Sequence, residues 1–207
     1  AYMTNALIEI RRVPLPGKEF ILAEGVKKSL EATGKSGLVT ATSASSHLQT
    51  RDVTTAITGL TLSEITEIET AVSNSPEGQA RLMALEELCS KVTYQTLVIL
   101  AAPENTSLDK AQYINRRYMK AKRGQSQLLI EALLQWRDKF EKKPMVTRPL
   151  ASDLDIVRLT TPIETLEELA DTISTINTNP DHKKNRDAVS DLTVSGFQTN
   201  NRILHRI

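Results

Sequence analysis

Two short stretches carry the residues best suited to chemistry. In Ile8-Glu9-Ile10-Arg11-Arg12, apolar and polar residues alternate, so a strand that turns Ile8 and Ile10 one way turns Glu9 and Arg11 the other. On that polar face Arg11 can meet an anion while Glu9 orients its guanidinium. Asn115-Arg116-Arg117-Tyr118 repeats the spacing with Arg116 and Tyr118. Together the two pairs would make a pseudo-symmetric polar lining; the plainer alternative is surface or inter-half salt bridges.

Other reactive side chains are isolated. His47 lies in the polar run Ser45-Ser46-His47-Leu48-Gln49, which reads as an adjustable loop at a cavity mouth or as an ordinary surface connection. His182 falls in the hydrophilic run Asp181-His182-Lys183-Lys184, and His205 is near the last residue; no two of the three have a metal-site spacing. Cys89, the single cysteine, follows Leu85 and Leu88 in a helical pattern and reads as a small core residue rather than a nucleophile. Lys35-Ser36 follows Gly34, but the glycine spacing of a phosphate-binding loop is missing, and neither a serine elbow nor a calcium loop is present.

Composition narrows the classes further. With 207 residues, 40% hydrophobic and 4% aromatic, the chain can bury a proper core. A formal net charge of +1 argues against whole-protein capture by nucleic acid. The segment from Lys110 to Lys143 nevertheless holds 10 basic and 3 acidic residues, a patch that could meet phosphate unless the first half, with 9 basic and 12 acidic residues through Glu104, neutralises it. Nucleic acid and membrane are therefore not the expected partners. No window has the length of a membrane span, no secretory leader pattern is visible, and a cytoplasmic location is the expectation.

The elements that must position these residues alternate between strand and helix periods. A strand over Ala6–Val13 stops at Pro14, Pro16 and Gly17, and Phe20, Leu22, Val26 and Leu30 recur at helical intervals. Strands are expected over Leu38–Ser43 and Asp52–Thr58. Thr61 and Glu64 have the spacing of a capping box for a helix to about Val72, Pro76 starts another, and Thr93–Leu100 reads as a strand. This order, strand, helix, strand, strand, helix, strand, is that of a ferredoxin-like unit.

After a short polar connector, Ala101–Asp109, the order repeats. Tyr113–Met119 is a strand; Leu128, Leu129, Ala132, Leu133 and Trp136 form a helical face toward Phe140; Val146–Ala151 and Leu154–Leu159 are paired strands; Thr165–Leu169 opens a helix; and Phe197–Ile207 is the last strand. Thr61-Leu62 and Thr165-Leu166 are 104 positions apart, as are Pro76 and Pro180, which suggests an internal duplication. The expected fold is α+β, with tandem ferredoxin-like βαββαβ repeats over residues 1–104 and 105–207 forming a dimeric α/β-barrel-like assembly within one chain.

Ile8-Glu9-Ile10-Arg11-Arg12 followed by Gly17, and Asn115-Arg116-Arg117-Tyr118 followed by Gly124, resemble the first-strand pattern of the dimeric α/β-barrel superfamily, and within it the NIPSNAP family. That family's pattern has a tyrosine where Val13 stands, and the second stretch lacks the preceding glutamate. The resemblance implies a NIPSNAP-like small-ligand or protein-interaction module, with a homodimer and a small hydrophobic or anionic ligand as partners. The enzyme alternative it implies is a cofactor-independent monooxygenase-type reaction on an aromatic or polycyclic substrate, with Arg11 and Arg116 binding an anionic oxygen and Tyr118 hydrogen bonding. No cofactor is expected; haem is the alternative, and it would need an axial histidine such as His47 facing the cavity. The candidate ligand residues are thus Glu9, Arg11, His47, Arg116 and Tyr118.

Overall fold

The computed structural model describes residues 5–46 and 50–207, and His47 lies outside them. The chain divides into two compact units, one of residues 1–98 and 201–207, the other of residues 99–200.

In the first unit β1 (Asn5–Pro14), α1 (Glu19–Thr33), β2 (Gly37–Thr42), β3 (Val53–Thr61), α2 (Leu62–Ser73), α3 (Pro76–Glu86) and β4 (Cys89–Ala101) follow in order, β4 belonging to this unit through Val98. β1 pairs antiparallel with β3 and β4, and β2 extends the sheet beyond β3. The resulting order, β4-β1-β3-β2, is ferredoxin-like. The chain leaves β1 through Gly17, whose φ of 75° is the left-handed conformation that glycine adopts without a Cβ clash. α1 then lays Leu22, Ala23, Val26 and Leu30 on Ala6, Val39, Val53 and Ile57, with Ile65 of α2 and Leu85 of α3 completing the core. Phe20 falls about a quarter-turn off that stripe, and it is 76% exposed instead of joining the core.

The second unit contains β5 (Tyr113–Ala121), α4 (Ser126–Arg137), β6 (Met145–Pro149), β7 (Ile156–Ile163), α5 (Leu166–Thr178), a short 3-10 turn (Pro180–His182), α6 (Lys183–Leu192) and β8 (Thr193–Arg206), which belongs here through Asn200. Its strand order, β8-β5-β7-β6, is the same as in the first unit. Gly124 leaves β5 with a φ of 79°, as Gly17 leaves β1. Leu129, Ile130, Leu133 and Trp136 of α4 pack on Met119, Val146 and Val157. β7 starts two residues later than its composition suggests because Asp153 Oδ1 accepts the Asp155 N–H in a turn that leaves Leu154 exposed. β8 starts earlier than Phe197, at Thr193. Its last residues, from Asn201, belong to the first unit and pair with β2 as a fifth strand there.

The helix starts follow from local chemistry. Thr61 Oγ1 accepts the Glu64 N–H at 3.2 Å and Glu64 accepts the Thr61 N–H at 2.8 Å, closing the capping box of α2. Thr165 caps α5 by the same bond to Glu168, at 3.1 Å, while Glu168 reaches back to the Glu164 N–H. Among the described residues no helix is long and apolar enough to cross a membrane.

Candidate functional site

In the second unit a cavity of about 680 Å³ separates the helix-facing side of the sheet from α5 and the end of α4. That size is usual for small-molecule sites. Asn115 and Arg117 of β5 and Leu159 and Thr161 of β7 line it from the sheet. Leu169, Ile173 and Ile176 line it from α5, being spaced to fall on one face of that helix.

One wall is aromatic. Trp136 closes α4, Phe140 follows in the next turn, and His182 is held beneath them by the 3-10 turn after α5. Phe140 and His182 stack at 5.2 Å, and Trp136 lies tilted to both, at 6.0 Å from Phe140 and 6.2 Å from His182. Trp136 Nε1 donates to His182 Nδ1 at 2.9 Å. An indole nitrogen only donates, so Nδ1 is the acceptor, and the neutral imidazole carries its proton on Nε2.

The charged groups of the cavity differ in their partners. Lys142 binds Glu168 and lies 3.7 Å from Glu164; these contacts, the Glu168 hydrogen bond foremost, push its pKa up. Burial pulls the Glu168 carboxyl up, but the Lys142 bond, the Glu164 N–H, the Lys142 charge and the Thr165 N–H outweigh it and leave the pKa lowered. Arg117 has no ion pair or hydrogen bond among the described residues. Burial alone lowers its pKa, with no neighbouring carboxylate acting in the other direction.

The residues singled out from sequence fall elsewhere. β5 alternates, so Arg116 and Tyr118 share the face turned away from the cavity and Asn115 and Arg117 share the face that lines it. Tyr118 stacks on Phe197 at 4.6 Å, with the Arg158 guanidinium 5.6 Å from its ring, and Arg116 is buried beside them on the same face. In the first unit Arg11 binds Asp52, and Glu9 is buried on the same strand face as Arg11. Cys89 begins β4 instead of continuing a helix; its Sγ donates to the Leu85 carbonyl at 3.2 Å, and burial pushes the thiol pKa up, away from nucleophile chemistry.

Sequence reasoning missed Arg117, Trp136 and His182 as site residues. The signal for Arg117 was strand parity: it is the neighbour of Arg116 that shares a face with core residue Met119. Four of the ten cations of the basic segment are paired within their own unit, Lys120 with Asp153, Lys142 with Glu168, Lys143 with Glu104 and Asp138, and the buried Arg137 with Glu104 and the Pro144 carbonyl.

No family model matches the chain, and no curated protein sequence does. Solved structures do resemble it. A protein named putative monooxygenase from Fusobacterium nucleatum superposes over 100% of this chain and 95% of its own with a TM-score of 0.73 at 8% identity. An anthrone oxidase-like protein gives 0.68 at 11% identity, over 100% and 93%. A heme-binding protein from Thermus thermophilus gives 0.53 at 13% identity, over 99% and 92%. At these identities the likeness is one of fold alone: an α+β, tandem ferredoxin-like arrangement.

Because one of these proteins binds haem, the cavity residues can be tested for it. A histidine that ligates iron donates its other ring N–H to a partner. Among the described residues His182 is the one histidine that lines the cavity; it does the reverse at Nδ1, and no described cysteine, methionine or tyrosine is in the lining. These residues do not fit haem.

Proposed function

We propose that the cavity of the second unit binds an aromatic or polycyclic small molecule, and that the chain performs cofactor-independent monooxygenase-type chemistry on it. The observation that carries this reading is the aromatic wall of Trp136, Phe140 and His182 over a sheet floor that is polar at Asn115, Arg117 and Thr161. Flat rings stack on such a wall while oxygen substituents meet the polar floor. The similarity to a monooxygenase-named and an anthrone oxidase-like protein supports the same class. In such a reaction the substrate supplies the electrons: a ring CH2 becomes C=O with one atom of O2, and the other atom leaves as water.

In this reading Glu9, Arg11, Arg116 and Tyr118 are framework residues of β1 and β5, and Arg117 is the residue that touches ligand. The NIPSNAP-like module reading rests on the strand motifs alone and uses the same cavity for binding without turnover. Native mass spectrometry of gently purified protein, with identification of any released molecule, reports both occupancy and a homodimer. Oxygen uptake and 18O incorporation from 18O2 with anthrone and related polycyclic phenols then separate the two readings. Incorporation supports the oxygenase, binding without oxygen uptake supports the module, and failure of every aromatic compound to bind overturns both.

A further inference from the structure

Arg117 is a cation in the wrong company for a structural role. Buried guanidinium groups are commonly held by carboxylates or carbonyls, as Arg137 of this unit is: it donates to Pro144 O, Ala102 O and Glu104. Arg117 lines the cavity with no such partner among the described residues, and the acids of the lining are engaged or exposed. Glu168 is held by Lys142, while Glu141, Glu167 and Asp171 are exposed. Burial lowers its pKa without any opposing acid. His182, on the aromatic wall, has its Nδ1 occupied by Trp136, which leaves the Nε2–H as the ring's remaining polar position. The cavity therefore sets an uncompensated positive charge, with neutral polar groups at Asn115, Thr161 and Gln198, next to an aromatic wall.

From this, and resting on the aromatic-ligand reading above, we infer that the ligand is an anion, an aromatic carboxylate or phenolate, whose oxygen is bound by Arg117. The half-buried guanidinium is the specificity-determining group: it discriminates against neutral analogues because only an anion compensates a charge that folding has partly removed from water.

The test compares anthracene-9-carboxylate with its neutral methyl ester by fluorescence titration on the intact chain. The carboxylate should bind at least about 10-fold tighter than the ester, the increment expected of a charge-assisted hydrogen bond. Arg117→Gln should reduce carboxylate affinity by about that factor and leave ester affinity within about 2-fold, Arg117→Lys should retain the preference, and Lys122→Gln, an equal charge change at an exposed position, should not alter it. Circular dichroism and thermal midpoints establish that each variant is folded. Equal binding of both probes to the unaltered protein overturns the anion inference and leaves the aromatic cavity standing. Binding of neither probe overturns the cavity reading and the inference with it. Parallel weakening of both probes by Arg117→Gln shows a packing role and also overturns it.

Discussion

The two units use one strand order for different ends, and the difference lies in a few helix-facing positions. Counting back from the left-handed glycines Gly17 and Gly124, Ile8 corresponds to Asn115 and Ile10 to Arg117. In the first unit Ile8 packs against the core and Ile10 is buried. Their counterparts in the second unit line a cavity. The helices differ in parallel. Ile65, four residues after the capping Thr61, is a core residue, whereas Leu169, four after Thr165, faces the cavity. In the first unit α3 also comes close to α1: a Cβ added to Gly25 would stand 2.8 Å from the Leu85 side chain. One sheet is thus closed by side-chain packing, and the other keeps an opening that polar strand residues can line without filling.

Exchanging residues between the units breaks this contrast most severely. Ile10→Arg, which writes the second unit's residue into the first, should cost about 3–5 kcal/mol in denaturant unfolding, because the new charge is buried without a partner. It would also share a strand face with Arg12, a buried guanidinium whose pKa burial already lowers. A small loss there would mean that the first unit has room the structure does not show.

Next come the residues that the units have in common. Leu22 and Leu129 are each fully buried at the same place on the first helix of their units. Alanine at either should cost about 2–5 kcal/mol. A nearly neutral Leu129→Ala would show that the second core is looser than its packing indicates.

Trp136→Phe sharpens the account of the aromatic wall. It keeps the ring but removes the indole donor, leaving His182 Nδ1 buried without its partner. The cost should be about 1–3 kcal/mol. In 15N NMR the His182 ring should lose its single Nε2–H form for a mixture of tautomers; an unchanged spectrum would remove Trp136 as the tautomer-setting group.

The caps should show the smallest effects and the greatest similarity between units. Thr61→Ala and Thr165→Ala should each cost about 1 kcal/mol in thermal unfolding. The capping glutamates add a pH dependence. Glu64, held chiefly by the Thr61 N–H, and Glu168, where bonds outweigh burial, both have pKa values lowered from the ordinary 4.5. Their contribution is therefore complete above that value and is lost as pH falls through the lower folded one. Glu64→Gln and Glu168→Gln should flatten the acid limb of a stability profile measured from pH 7 downward, and an unaltered limb would dissociate the caps from acid sensitivity.

What could be read from sequence was what is decided locally. Gly17 and Gly124, the two capping threonines, and Pro76 and Pro180 act through their own backbones, so their spacing disclosed two similar units before any contact was known. Strand ends were harder, because the start of β8 at Thr193-Val194-Ser195-Gly196 is held by its neighbour β5 and not by its own composition. The cavity was not legible. Arg117, Trp136 and His182 are far apart in the chain, and His182 sits in a run of charged residues that gives no sign of burial. Its position depends on a 3-10 turn capped by the Asn179 side chain, which turns one histidine inward while the lysines after it stay in water.

The fifth strand of the first unit has a consequence for synthesis. β2 pairs with residues Asn201–Arg206, which leave the ribosome only after every residue of the second unit. Until then the nascent first unit carries an open β2 edge, the kind of surface that recruits foreign strands. Translation that stalls within the second unit would release a chain able to form its first core but with that edge uncovered. Chaperone capture and aggregation should therefore be most pronounced for chains arrested just short of Asn201, and should fall once the final strand is made.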